Sequence, residues 1–125
     1  MADRMITISA QGVSAQARLN DSPTADKIWD ALPINGTVNT WGDEIYFSIP
    51  VHAAAEPGAS PVVASGDLAY WPPGTAFCIF FGPTPASRGS EIRAASAVNV
   101  FGAVQGDPKI FKTVAPGAAI AIEKS

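Results

Sequence analysis

Glu44 and Tyr46 stand two residues apart in the run EIYFS, and in an extended chain that spacing puts both side chains on one face. A carboxylate beside a phenol can take an amine or a hydroxyl, with Asp43 as an adjoining acid. The same pattern also describes the polar outer face of a half-buried strand. Tyr70 and Trp71 precede two prolines in YWPPG. They offer an aromatic wall to a proline ring, a flat ligand or a peptide, or they pack against those prolines. Phe80 and Phe81 point to opposite faces of a regular strand, which gives one to the core and lets Phe81 line the same cleft. Asn99, between Val98 and Val100, faces away from both, either as a loop anchor or as a polar group in a cleft. Arg93 completes the candidate ligand contacts.

Other chemistries lack their parts. His52 is the only histidine and has no second histidine or cysteine at ligand spacing, so no metal site is expected. A lone loop histidine makes no base for a serine or cysteine nucleophile. Neither the dinucleotide-binding glycine pattern nor the P-loop pattern occurs, and no cofactor is implied. Thr84, Pro85 and Ser87 are the types that cap and shape a loop. Cys78, the single cysteine, lies in an apolar run and reads as a buried, inert thiol.

These side chains need a scaffold, and the pattern along the chain is mainly that of strands. The stretch Gly66 to Pro85 holds two strand signals around one corner: Leu68, Tyr70 and Trp71 before it, Ala76 to Phe81 after it. Pro72 and Pro73 fix φ, and Gly74 supplies a positive φ for the turn. Met5 to Ala10 and Val13 to Leu19 form a hairpin through Gln11 and Gly12. Ser22 and Pro23 start a helix over about 22–32, with Ala25, Ile28, Trp29 and Leu32 as its apolar stripe and Pro33 as its stop, placed to close one end of a barrel. Glu44 to Pro50 alternates, with Ile45, Phe47 and Ile49 on the buried side. Ala53 to Ser65 reads as a surface loop with a short strand at Val62 and Val63, and Gly82 to Ser90 as a second loop. Further strands are expected over Ala97 to Gln105 and Ala118 to Glu123. From Ile34 to Trp41 the mixture of polar residues and breakers leaves element boundaries open.

The composition agrees with one small β domain over residues 1–125, without internal repeat or linker. Charged residues make up 15% of the 125-residue chain, well under the usual ~25%, and eleven glycines with eleven prolines imply many turns. A net charge of −3 gives no basic footprint, so neither nucleic acid nor an anionic membrane surface is an expected partner. The N-terminal residues lack the apolar run of a signal peptide, and no stretch nears the roughly 18 apolar residues of a membrane span. The expected location is the cytoplasm.

Three long strings, VNTWGDEIYFSIPV (Val38 to Val51), GDLAYWPPGTAFCIFFGPTPAS (Gly66 to Ser87) and ASAVNVFG (Ala95 to Gly102), make the chain similar to the small single-domain cyclophilin-like proteins of bacteria and archaea. The resemblance covers nearly the whole chain. It implies a closed or nearly closed β-barrel of about eight strands with one main helix. It also raises peptidyl-prolyl isomerisation, since VNVFGAVQGD resembles the cyclophilin strand bearing a substrate-contacting histidine. The functional residues of the cyclophilins do not carry over. Val98 stands in place of that histidine, the insertion with the groove glutamine is missing around Thr75 and Ala76, and Glu44 to Ser48 contain no arginine. An X-Pro bond rotates over a barrier of roughly 20 kcal/mol, and lowering it needs a donor aimed at the twisted amide. Arg93 is the candidate substitute for that donor. The leading expectation is a non-catalytic binder of a peptide segment or small molecule in an aromatic-walled cleft. The alternatives are a divergent isomerase using Arg93, and a structural module that self-associates through its sheet edges.

Overall fold

A computed structural model of the chain describes residues 4–125. Residues 1–3, on which the absence of a signal peptide partly turns, lie outside the described residues. The hairpin expected at the start is present: β1 (Met5–Ala10) pairs antiparallel with β2 (Val13–Leu19), and Gln11 and Gly12 both take positive φ to make the turn. β1 and β2 alternate buried and open positions, as a strand with one face on a core must.

The helix α1 (Pro23–Ala31) begins where the capping chemistry puts it. The Ser22 hydroxyl accepts from the Ala25 amide and proline occupies the first turn, which satisfies one orphan donor and fixes the entry φ. Thr24, Ala25 and Ile28 are its buried residues; Trp29 and Leu32 pack at the margin of the core.

The remaining strands are β3 (Ile34–Thr37), β4 (Asn39–Thr40), β5 (Glu44–Ser48), β6 (Ser60–Val63), β7 (Asp67–Trp71), β8 (Ala76–Phe80), β9 (Ile92–Val104) and β10 (Ala119–Lys124). All described pairings are antiparallel, in the order β3-β10-β1-β2-β9-β7-β8-β5-β4, with β6 attached to β9. No ladder joins the two end strands, so the described hydrogen bonds do not form the closed ring expected from the resemblance. The ends are nevertheless neighbours in the chain, separated by the buried Val38 alone. The sheet is therefore curled until both edges belong to one extended segment, and a Cβ on Gly36 of β3 would stand 2.6 Å from the Phe47 ring of β5.

Inside this curl sits the main core. Ile45 and Phe47 of β5, Leu68 and Tyr70 of β7, Phe77 and Ile79 of β8 and Phe101 of β9 are buried there. The Phe47 and Phe77 rings stack at 5.0 Å and Phe101 meets Phe77 edge-on at 5.0 Å. The strand period sends the alternate residues outward, and on β7 and β8 most of these are buried too: Ala69, Ala76, Cys78 and Phe80 form a second cluster with Ile92, Ala94 and Val98, and Tyr46 of β5 packs against it partly buried. Its cover is β9 itself. β9 is longer than the expected Ala97 to Gln105: from Asn99 onward it pairs with β7 and β2, while its first half pairs with β6 and lies over the outer face.

The proline corner differs from the sequence-based picture in one respect. Pro72–Gly74 make a single 3-10 turn and the left-handed residue is Thr75, at φ 45°, so Gly74 does not supply the positive φ. Its missing side chain makes room instead: a Cβ there would lie 2.7 Å from the Trp71 indole.

Candidate functional site

Between the outer face of β5, β8 and β7 and the first half of β9 lies a cavity of about 280 Å³. Trp41, Glu44 and Tyr46 line it from the β5 side, Trp71 from the corner, and Ala94, Ala95 and Val98 from β9. The β9 contribution is small and apolar, which leaves the space open. The opposite side is bulky and aromatic.

Each wall has a local cause. Trp41 closes the turn into β5, its amide donating to the Glu44 carbonyl at 3.0 Å, and Gly42 takes the positive φ that the turn needs. Glu44 and Tyr46 follow with period 2 on the outer face, opposite Phe80 and Cys78 of β8. Trp71 is held at both ends: the missing Cβ of Gly74 seats the ring, and Nε1 donates to the Ser96 hydroxyl of β9 at 2.7 Å.

Glu44 is the polar group of this cavity. It is 5% exposed, and no cation among the described residues pairs with it. Burial raises its carboxyl to about 7, opposed by a hydrogen bond with the Cys78 thiol, because a charge in an apolar site forfeits its hydration. The same burial, together with the Glu44 charge, raises Cys78 well above its ordinary range, so this thiol is buried and protonated. The site thus combines an aromatic wall able to face a cation or a flat ring with one carboxyl that changes charge near neutral pH.

Of the seven expected contacts the cavity gathers three: Glu44, Tyr46 and Trp71. Tyr70, one residue from Trp71, points the other way as strand alternation requires. It is 1% exposed in the main core, where its hydroxyl donates to the Val51 carbonyl at 2.7 Å and accepts from the Ala53 amide. Phe81 also faces inward, with its ring 6.4 Å from Phe111. Asn99 is the anchor rather than the cleft group: its side chain accepts from the Glu56 amide and donates to the Ala54 carbonyl, both at 2.9 Å, and donates to the Thr24 hydroxyl at 3.1 Å. Tyr70 and Asn99 together fasten residues 51–56 to the curled sheet. Arg93 is on β9 but outside the cavity lining, its guanidinium donating to both oxygens of Glu91 at 2.6 and 3.3 Å. Asp43 turns to Lys112, 3.7 Å away. Thr84 and Ser87 shape their loop as expected, with the Ser87 hydroxyl accepting from the Thr84 and Arg93 amides.

Trp41, Ala94, Ala95 and Val98 were not among the expected contacts. For Trp41 a signal existed, a large indole in the polar turn TWGDE that no core face claimed. The small residues of β9 carried none, since which strand face meets the cavity follows from pairing with β6.

Three findings connect this geometry to known proteins. The model of the Cyclophilin-like family matches residues 4–123. The solution structure of the hypothetical protein AF2241 from Archaeoglobus fulgidus superimposes with a TM-score of 0.83 at 41% identity, over 98% of this chain and 95% of that one. McbB in complex with tryptophan superimposes with a TM-score of 0.70 at 12% identity, over 96% of this chain and 44% of McbB; that likeness is one of fold. No curated protein matches the sequence. Among the described residues no helix is long and apolar enough to cross a membrane. A family model spanning nearly the whole sequence and a relative of the same extent agree, and the chain belongs to the cyclophilin-like family.

Proposed function

We propose that the protein is a non-catalytic binder whose ligand, a small molecule or the end of a peptide segment, enters the cavity over Glu44. The curled sheet acts as the wall of a cyclophilin-like barrel seamed at residues 34–40, and the ligand sits outside it, under the β6–β9 ribbon. The observation that carries this reading is one buried carboxyl in an otherwise apolar, aromatic-walled cavity, the composition of a site with one orienting polar group. The volume supports a compact ligand: about 280 Å³ is roughly twice the ~150 Å³ that admits a benzene ring. McbB, which shares this fold over 44% of its own length, has been determined in complex with tryptophan, and small aromatic molecules are a natural class to test. Against isomerisation stands the Arg93 guanidinium, committed to Glu91 and outside the cavity.

The test is a thermal-shift and NMR survey with small aromatic fragments. Binders should raise the melting temperature and move the amide signals of residues 44–46 and 94–98, and Trp71→Ala should abolish both effects. A proline-peptide assay should run at the uncatalysed rate, with Arg93→Ala indistinguishable from the parent protein. Fragment shifts confined to other surfaces, or an acceleration lost in Arg93→Ala, would overturn the reading.

A further inference from the structure

Taking the cavity as the binding site, we infer that its ligand is a small organic ammonium with a flat apolar body, its nitrogen on the Glu44 carboxylate and its body against Trp41, Tyr46 and Trp71. This rests on the reading above and narrows it to one chemical class.

A buried carboxylate needs a compensating positive charge or it stays protonated. Among the described residues no cation pairs with Glu44. Arg93, on the strand that covers the cavity, is committed to Glu91, and Lys112 reaches Asp43 on the other side of the turn. The cavity lining contributes no cation at all. What surrounds Glu44 instead is aromatic, and the faces of two indoles and a phenol attract a cation while repelling an anion. An anionic ligand would meet a carboxyl and three electron-rich aromatic side chains. A neutral alcohol would find one hydrogen-bond partner and leave the cage electrostatics unused. An ammonium uses both features. The Trp71 indole N–H is already given to Ser96, so it is not waiting for an acceptor on the ligand.

The charge state of the site supplies a second signature. With its carboxyl at about 7, Glu44 is mostly neutral at pH 5.5 and mostly ionised at pH 7.5. Its titratable neighbours are Tyr46 on β5 and Cys78 on β8; Ala94, Ala95 and Val98 of β9 bring none. A bound ammonium therefore gains affinity as pH rises, by about twentyfold over those two units, and the bound amine lowers the carboxyl's own pKa.

The experiment compares tryptamine with its neutral isostere tryptophol by isothermal titration at pH 5.5 and 7.5, on the parent protein and on Glu44→Gln. Expected is binding of tryptamine at least tenfold tighter than that of tryptophol at pH 7.5, a loss of that advantage at pH 5.5, and its disappearance in Glu44→Gln. Tryptophol binding as well as or better than tryptamine at pH 7.5 would sink the ammonium assignment and leave the cavity as a binding site. Failure of both probes would remove the assignment and the small-molecule reading together. A tripeptide with an N-terminal tryptophan outcompeting tryptamine would overturn the small-molecule source of the charge. The isostere pair decides the matter on the parent protein, so an unfolded variant would not protect the inference.

Discussion

Glu44 makes the stability of the protein depend on pH in a direction opposite to that of a salt-bridged acid. Its carboxyl sits at about 7 in the folded state against an ordinary 4.5. Between those values the folded protein keeps a proton that the unfolded chain has released. Stability is full below pH 4.5 and falls as pH rises toward 7, by up to ~3 kcal/mol from this one group. Asp67, whose carboxyl is also raised by burial, adds a slope of the same sign. Urea unfolding from pH 4.5 to 8 should show the fall, and Glu44→Gln should remove most of it; an unchanged slope in the variant would assign it elsewhere. Gly74 gives a second residue-scale prediction. Gly74→Ala drives a Cβ into the Trp71 ring, so we expect destabilisation of about 1–3 kcal/mol, with the Trp71–Ser96 bond broken and ligand binding lost. Asn99→Ala should cost about 1–3 kcal/mol by stranding buried partners. It should also speed hydrogen exchange at the Glu56 amide while leaving cavity ligands bound, because Asn99 holds residues 51–56 and not the site.

At the scale of elements, β9 does the most. Its second half must approach β2 closely: a Cβ on Gly102 would lie 2.6 Å from the Arg18 carbonyl oxygen. Backbone cannot yield as a flexible side chain can, so Gly102→Ala should lower stability by roughly 1–3 kcal/mol, read as a drop in melting temperature. The hairpin, the capped helix, β5 and the strands around the proline corner were legible in the sequence because each carries a local signal, a period of two or a cap. The first half of β9 was not, since IRAASA has no apolar alternation and becomes a strand only by pairing with β6. The site was half legible for the same reason. Glu44 and Tyr46 share a face by simple alternation, and the same alternation separates Tyr70 from Trp71. Adjacent strand residues face opposite sides, so Tyr70 and Trp71 do not form one wall. The placement of Asn99 required knowing which loop returns to it.

For the whole molecule, β5, β7 and β8 each give one face to the main core and the other to the second cluster, and β9 gives its second half to the core and its first half to the cluster. Neither layer can come apart without removing a wall of the other. Unfolding should therefore be a single transition: Trp29, at the margin of the main core, and Trp71, in the outer layer, should report the same midpoint when each is observed alone in variants with the other tryptophans replaced by phenylalanine. Separate midpoints would mean that the β6–β9 ribbon opens independently. The cavity lies outside the curled sheet, and this has a consequence for how such a protein can acquire new preferences. The main core and the ligand space share strands but not side chains, so the pocket can be recut at Ala94, Ala95 and Val98 without touching Phe47, Phe77 or Phe101. Ala95 is exposed, and enlarging it narrows the mouth at little cost to folding. On the binding reading proposed above, ligand choice is set by residues outside the main core, and it can drift while the architecture stays the same.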